Sequence, residues 1–117
     1  MAETDLFPRT KKYALRIIRL YVALPKTTEA QVLGKQVLRS GTSIGAHYSE
    51  ANRAKSDADF INKLQTALQE LDETAYWLEL IIEAKIFDES KVLPLIQETK
   101  ELNAIITTIV KKVRAKK

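Results

Sequence analysis

The sequence predicts an all-α protein, a single domain over residues 1–117 folded as an up-down-up-down four-helix bundle. Three observations predict it. Apolar residues recur at steps of three and four through four successive segments, and no alternating strand pattern competes with them. Glycine and proline, three of each, are too few and too far apart to break those segments up. A content of 45% apolar and 29% charged residues suits one buried core, and 117 residues leave no room for a second domain.

Helix one is predicted over 9–24. Pro8 precedes it, Ala14, Ile17, Ile18, Tyr21 and Leu24 mark one face, and Leu24-Pro25 stops it. Thr28-Glu-Ala-Gln31 has capping-box spacing and opens helix two, over 28–54, which Leu33, Val37, Gly41, Ile44, Tyr48 and Ala51 continue. Ser56-Asp-Ala-Asp59 is the cap signal of helix three, over 57–85. There Phe60, Leu64, Ala67, Leu71, Ala75, Leu78 and Ile82 keep a step of roughly 3.5. Its second half, Tyr76 to Ile82, is apolar nearly all round and asks for cover from more than one neighbour. Val92, Leu95, Ile96, Thr99, Leu102, Ile106, Ile109 and Val113 make helix four, over 90–114, with Pro94 acceptable only in the first turn.

Gly34, Gly41 and Gly45 all lie inside helix two, where each costs about 1 kcal/mol relative to alanine. With the small residues of Arg39-Ser-Gly-Thr-Ser-Ile-Gly-Ala46, they read as a surface that another backbone approaches closely, within the bundle or between subunits. A phosphate-cradling loop fails on spacing. Gly34-Lys35 has no glycine five residues upstream and no Ser or Thr after it, and Gly41-x-x-x-Gly45 precedes no lysine.

Catalytic chemistry finds little to build on. The absence of cysteine excludes a disulfide scaffold, a thiolate metal site and thiol catalysis, and fits a reducing compartment. His47 is the only imidazole, and His47-Tyr-Ser-Glu50 reverses the order of the Glu-x-x-His pairs that hold di-iron sites in bundles. Ser43 lies four residues before His47 but has no orienting acid or oxyanion donor in view. Glu70 with Glu73, and Glu79 with Glu83, are expected to pair with cations such as Arg39 or Arg53. No catalytic residue, metal or cofactor is expected, so the reading is non-enzymatic. No stretch approaches the roughly 18 apolar residues of a membrane span, and the acidic start Met1-Ala-Glu-Thr-Asp5 is unlike a signal peptide, so a cytoplasmic protein is expected.

Charge placement is more telling than the net +4. Residues 1–58 carry net +5, residues 59–110 net −6, and the tail 111–117 net +5. Arg9, Lys12, Arg16 and Arg19 step by three, four and three along helix one, forming a basic stripe expected opposite the apolar face, with no acid in it, flanked by Lys11 and Lys26. Lys35 and Arg39 add a four-spaced pair on helix two. Such a row can neutralise successive phosphates without reading bases. It can equally be a solvated face, or meet the acidic helix-three region of another copy. The lysine-rich tail also suits the dipole at a helix C-terminus.

With helices two and three placed, the run Arg39-Ser-Gly-Thr-Ser-Ile-Gly-Ala-His-Tyr-Ser-Glu-Ala51, then Ala54, Ser56, Ala58-Asp-Phe-Ile61, Lys63, Glu70, Glu73-Thr74 and Tyr76-Trp-Leu-Glu-Leu80, resembles the bacterial 23S rRNA intervening-sequence protein family. The resemblance covers essentially the whole chain. It implies an up-down bundle assembled into a ring-shaped homopentamer, a binding role toward RNA, and kinship with the accessory proteins of diversity-generating retroelements. It implies no catalytic residues. Arg39, Ser43, Ile44, Glu50, Glu70, Glu73, Tyr76 and Trp77 match recurrent positions and read as determinants of fold and assembly. His47 stands where relatives typically carry asparagine.

Two functions are therefore expected to compete. The first is an oligomer binding RNA or other nucleic acid through Arg9, Lys12, Arg16 and Arg19, with Lys35 and Arg39 beside them. The alternative is an interaction adaptor that docks a nucleic-acid enzyme such as a reverse transcriptase.

Overall fold

The structure, a computed structural model, describes residues 5–116. It contains α1 (Leu6–Ala23), α2 (Thr28–Ala51), α3 (Asp57–Glu83) and α4 (Glu89–Ala115). Connections over 24–27, 52–56 and 84–88 are long enough only to reverse the chain, so successive helices are antiparallel neighbours in a bundle measuring 49 × 22 × 21 Å. The acidic start, Met1 to Thr4, and the final lysine of the basic tail, Lys117, lie outside the described residues.

Helix ends depart from the sequence pattern in instructive ways. α1 starts at Leu6 and takes Pro8 into its first turn, where a missing N–H removes no helical bond. The cap of α2 is Thr27 rather than Thr28, its hydroxyl accepting from the Ala30 N–H at 3.4 Å. Gln31 closes no capping box. It donates to the Pro25 carbonyl at 2.8 Å and accepts from the Tyr21 hydroxyl at 3.0 Å, tying the α1–α2 turn to both helices. Ser56 caps α3 as its spacing indicates, accepting from the Asp59 N–H at 3.1 Å.

α3 stops at Glu83 in a Schellman motif: Lys85 adopts φ 57°, and the Ile86 N–H reaches the Ile81 carbonyl at 3.0 Å. α4 begins on Asp88, whose carboxylate accepts from the Ser90 N–H at 3.0 Å. Pro94 consequently falls in the second turn, not the first. The carbonyl it leaves without a helical donor, that of Ser90, is in the exposed opening turn.

Leu6, Tyr13, Ile17, Val37, Ile44, Leu64, Leu71, Leu78, Ile81, Val92, Leu102 and Ile106 form the fully buried centre. On α1 the core face is Leu6, Thr10, Tyr13, Ile17, Leu20 and Leu24, so Ile18 is not part of it and stands 40% exposed. Two buried hydroxyl pairs cross between helices. Ser40 and Thr74 join α2 to α3 at 2.7 Å, and Tyr13 and Thr99 join α1 to α4 at 2.5 Å. Thr99 donates its one proton to the Leu95 carbonyl a turn back on its own helix, so Tyr13 is the donor of its pair. Of Ser40 and Thr74, one donates across the pair and the other to the carbonyl a turn back, that of Gln36 or Glu70.

Burial pushes the Tyr13 phenol up from its ordinary 10.0 to about 12, Glu98's charge adding to the shift. The folded protein therefore holds a proton that the unfolded chain releases, so the stability this group contributes is complete below pH 10 and fades as pH rises toward 12. Denaturant titrations should show a fall of order 2 kcal/mol over that range that is absent in Tyr13→Phe. Equal slopes in the two proteins would contradict it.

The three glycines of α2 explain how α1 is seated. A Cβ at Gly34 would stand 2.6 Å from Leu24 Cδ1, one at Gly41 2.8 Å from Ile17 Cγ1, and one at Gly45 3.0 Å from Thr10 Oγ1. The close approach lies within the bundle, where α1 rests almost on the α2 backbone. Against α4, by contrast, α1 makes the sparsest seam of the four.

Candidate nucleic-acid interface

At 100° per residue, Arg9, Lys12, Arg16 and Arg19 project from α1 on the side facing α4, flanking the core rather than lying opposite it. The sparse seam opens there into a groove. One reach, about 530 Å³, is lined by Arg9, Lys12, Tyr13, Arg16 and Glu98. The next, about 290 Å³, is lined by Arg16, Arg19, Leu20, Phe87, Lys91 and Leu95. Arg16 borders both, so the two reaches follow one another along the helix pair with its side chain between them.

The ends of this groove differ in charge. Arg9 Nε meets Glu98 at 2.7 Å, its Nη2 also reaches Glu98 at 2.8 Å, and the same Nη2 meets Glu101 at 2.7 Å. The Glu98 hydrogen bonds, with further attraction from Glu101, hold the Arg9 guanidinium firmly charged and shift its pKa upward. The stripe carries no acid along α1, but α4 supplies two to its first member. Lys12, Arg16, Arg19 and Lys91 have no ion-pair partner among the described residues.

The α2 pair stands elsewhere. Arg39 faces α3, where Nη2 meets Glu73 at 2.7 Å and Nη1 meets Glu70 at 3.3 Å, the pairing expected for those two carboxylates. Its pKa is raised, first by the Glu73 hydrogen bond. Lys35, one turn earlier, is exposed and apart from the α1–α4 groove. His47, half-buried, sits 3.7 Å from Glu50 and 3.8 Å from Glu70, beyond hydrogen-bonding distance of either. Ser43 donates to the Ser40 carbonyl at 2.9 Å, and Ser49 accepts from Arg53 at 3.0 Å, so neither hydroxyl is bonded to the imidazole.

Lys91 and Phe87 are the members of the groove that sequence reasoning missed. Antiparallel order was the available signal, since it sets the beginning of α4 beside the end of α1. A second surface of α1 carries Leu15, Ile18 and Val22, at steps of three and four and 40% to 67% exposed, on the outward face beside the basic row, with Leu15 one turn from both Lys12 and Arg19. In the tail, Lys112 and Arg114 occupy the last turn of α4, where cations suit the helix dipole. No helix among the described residues is long and apolar enough to cross a membrane.

Comparison with known proteins agrees with this architecture. A crystal structure of a protein of unknown function from the S23 ribosomal protein family of Bacteroides thetaiotaomicron matches with a TM-score of 0.85 and 42% sequence identity, covering 91% of this chain and 98% of that one. A search of curated proteins finds no match. The family model described as 23S rRNA-intervening sequence protein matches residues 3–108. The recognised run of α2 and α3 lies inside that span, and the chain belongs to the 23S rRNA-intervening sequence protein family.

Proposed function

We propose that this chain is a non-enzymatic, oligomeric nucleic-acid-binding protein whose α1–α4 groove takes RNA phosphates on Lys12, Arg16, Arg19 and Lys91. The observation that carries the reading is the grouping along one groove of four cations that, among the described residues, have no carboxylate partner. Long flexible cations left unpaired on a surface are hydrated and available, and a polyanion that meets them gains entropy by releasing its own counterions. Arg9 and Arg39, already held by glutamates, belong to the fold in this reading. RNA is favoured as the polyanion by the family's name.

Oligomerisation is supported by what the single bundle leaves uncovered. Leu15, Ile18 and Val22 on α1, Val32 on α2 and Tyr76 on α3 are all exposed. A homopentameric ring would cover such surface and repeat the groove five times, so weak contacts would act together.

Sedimentation velocity with fluorescent structured RNA tests both parts. At about 50 mM salt the RNA is expected to travel with a protein oligomer, and raising the salt to about 200 mM should weaken binding roughly a hundredfold for four phosphate contacts. Protein sedimenting as a monomer would refute the assembly. RNA sedimenting alone at low salt would refute the binding.

A further inference from the structure

The reach of the groove bounded by Arg16, Arg19 and Lys91 has properties that phosphate binding does not require. Its cations stand on both walls, two on α1 and one on α4, and its floor is apolar, made by the buried Leu20 and Leu95. Phe87 lines it as well, half-buried and packed against the core. The backbone is fixed on both sides of Phe87. The Ile86 N–H is fastened to the Ile81 carbonyl immediately before it, and Asp88 caps α4 through Ser90 immediately after it.

We infer that this reach is a site for single-stranded RNA, in which phosphates lie against Arg16, Arg19 and Lys91 while an unpaired base stacks on Phe87. The inference rests on the nucleic-acid reading above and narrows it to one form of RNA. A duplex presents phosphates on a convex cylinder with its bases stacked inside, so it can touch the walls of a concave groove but offers no base face to an aromatic ring lining it. A single strand brings both groups at once, which is the combination of basic track and aromatic platform that single-strand sites share. The reach at the other end lacks this character, because Glu98 borders it and two carboxylates occupy Arg9.

Fluorescence anisotropy at about 50 mM salt, with an oligouridylate of about 12 nucleotides and an RNA duplex of the same length, tests the inference. The single strand is expected to bind at least about tenfold more tightly. Phe87→Leu should lose about tenfold in affinity for the single strand, the size of one base stack, with no change for the duplex, and Phe87→Tyr should retain wild-type affinity. Equal affinity for the two RNAs would overturn the inference while leaving phosphate binding in place, as would Phe87→Leu binding oligouridylate like wild type. Should Phe87→Leu fail to fold, the strand preference of the wild-type protein decides the matter alone. Failure to bind either RNA would overturn this inference and the broader reading together.

Discussion

Replacing Lys12, Arg16 and Arg19 together by glutamine should reduce RNA affinity roughly a hundredfold at low salt and flatten the dependence of log affinity on log salt by about three units, one for each lost phosphate contact. The reason the effect is large is also the reason the variant should fold. None of the three side chains has an ion-pair partner among the described residues, and all three project from the core, so glutamine removes charge without orphaning a carboxylate. Arg39→Gln is the matching control. It removes a positive charge from the same protein, but one held by Glu70 and Glu73 on the far side of α2, and RNA affinity should stay within about twofold of wild type, as for a charge outside the phosphate track. A triple variant that still binds RNA like wild type would exclude the α1–α4 groove as the contact surface.

Gly41→Leu should be the most damaging single substitution in the fold. Even a Cβ at this position would lie 2.8 Å from Ile17 Cγ1 and 3.0 Å from both Ile17 Cδ1 and Cγ2. Ile17 cannot easily withdraw, since it is fully buried and its branched Cβ restricts rotation. A leucine must therefore push α1 off α2. The expected loss is at least about 3 kcal/mol, above what improved helix propensity returns, and corresponds to a fall of about 15 °C in melting temperature for a domain of this size. Thermal and urea melts read it directly. An unchanged midpoint would mean that the seam is not set by backbone proximity.

The bundle itself was legible because its evidence is local and repeated. Core positions such as Val37, Ile44, Leu64, Leu71, Leu102 and Ile106 announce themselves by period alone. What escaped were features decided by partners distant in sequence. Arg9 belongs to an acid-free stripe until α4 brings Glu98, 89 residues away, against it. Ile18 has the spacing of a core residue with Ala14 and Tyr21, yet the buried face of α1 runs through Thr10, Tyr13, Ile17 and Leu20 and leaves it outward. The end of α3 carries no glycine because Lys85 accepts a left-handed conformation, at a cost of about 1 kcal/mol that the surrounding hydrogen bonds offset. Of the candidate interface, the α1 cations were readable from their spacing. Phe87 and Lys91 were not, since a residue in a connection and one in a first turn carry no periodic mark.

The unequal seating of α1 has an evolutionary consequence. On its α2 side, three glycines and their counterparts leave almost no steric freedom, and a change there threatens the whole chain. On its α4 side, one buried hydroxyl pair and the Arg9 cluster are the polar ties, and the exposed groove residues Lys12, Arg19 and Lys91 bear little of the packing. Lineages sharing this fold are thus free to rewrite the charge at these exposed positions without first acquiring compensating stability. A surface of this kind can change quickly on a scaffold whose opposite seam has almost no room to change.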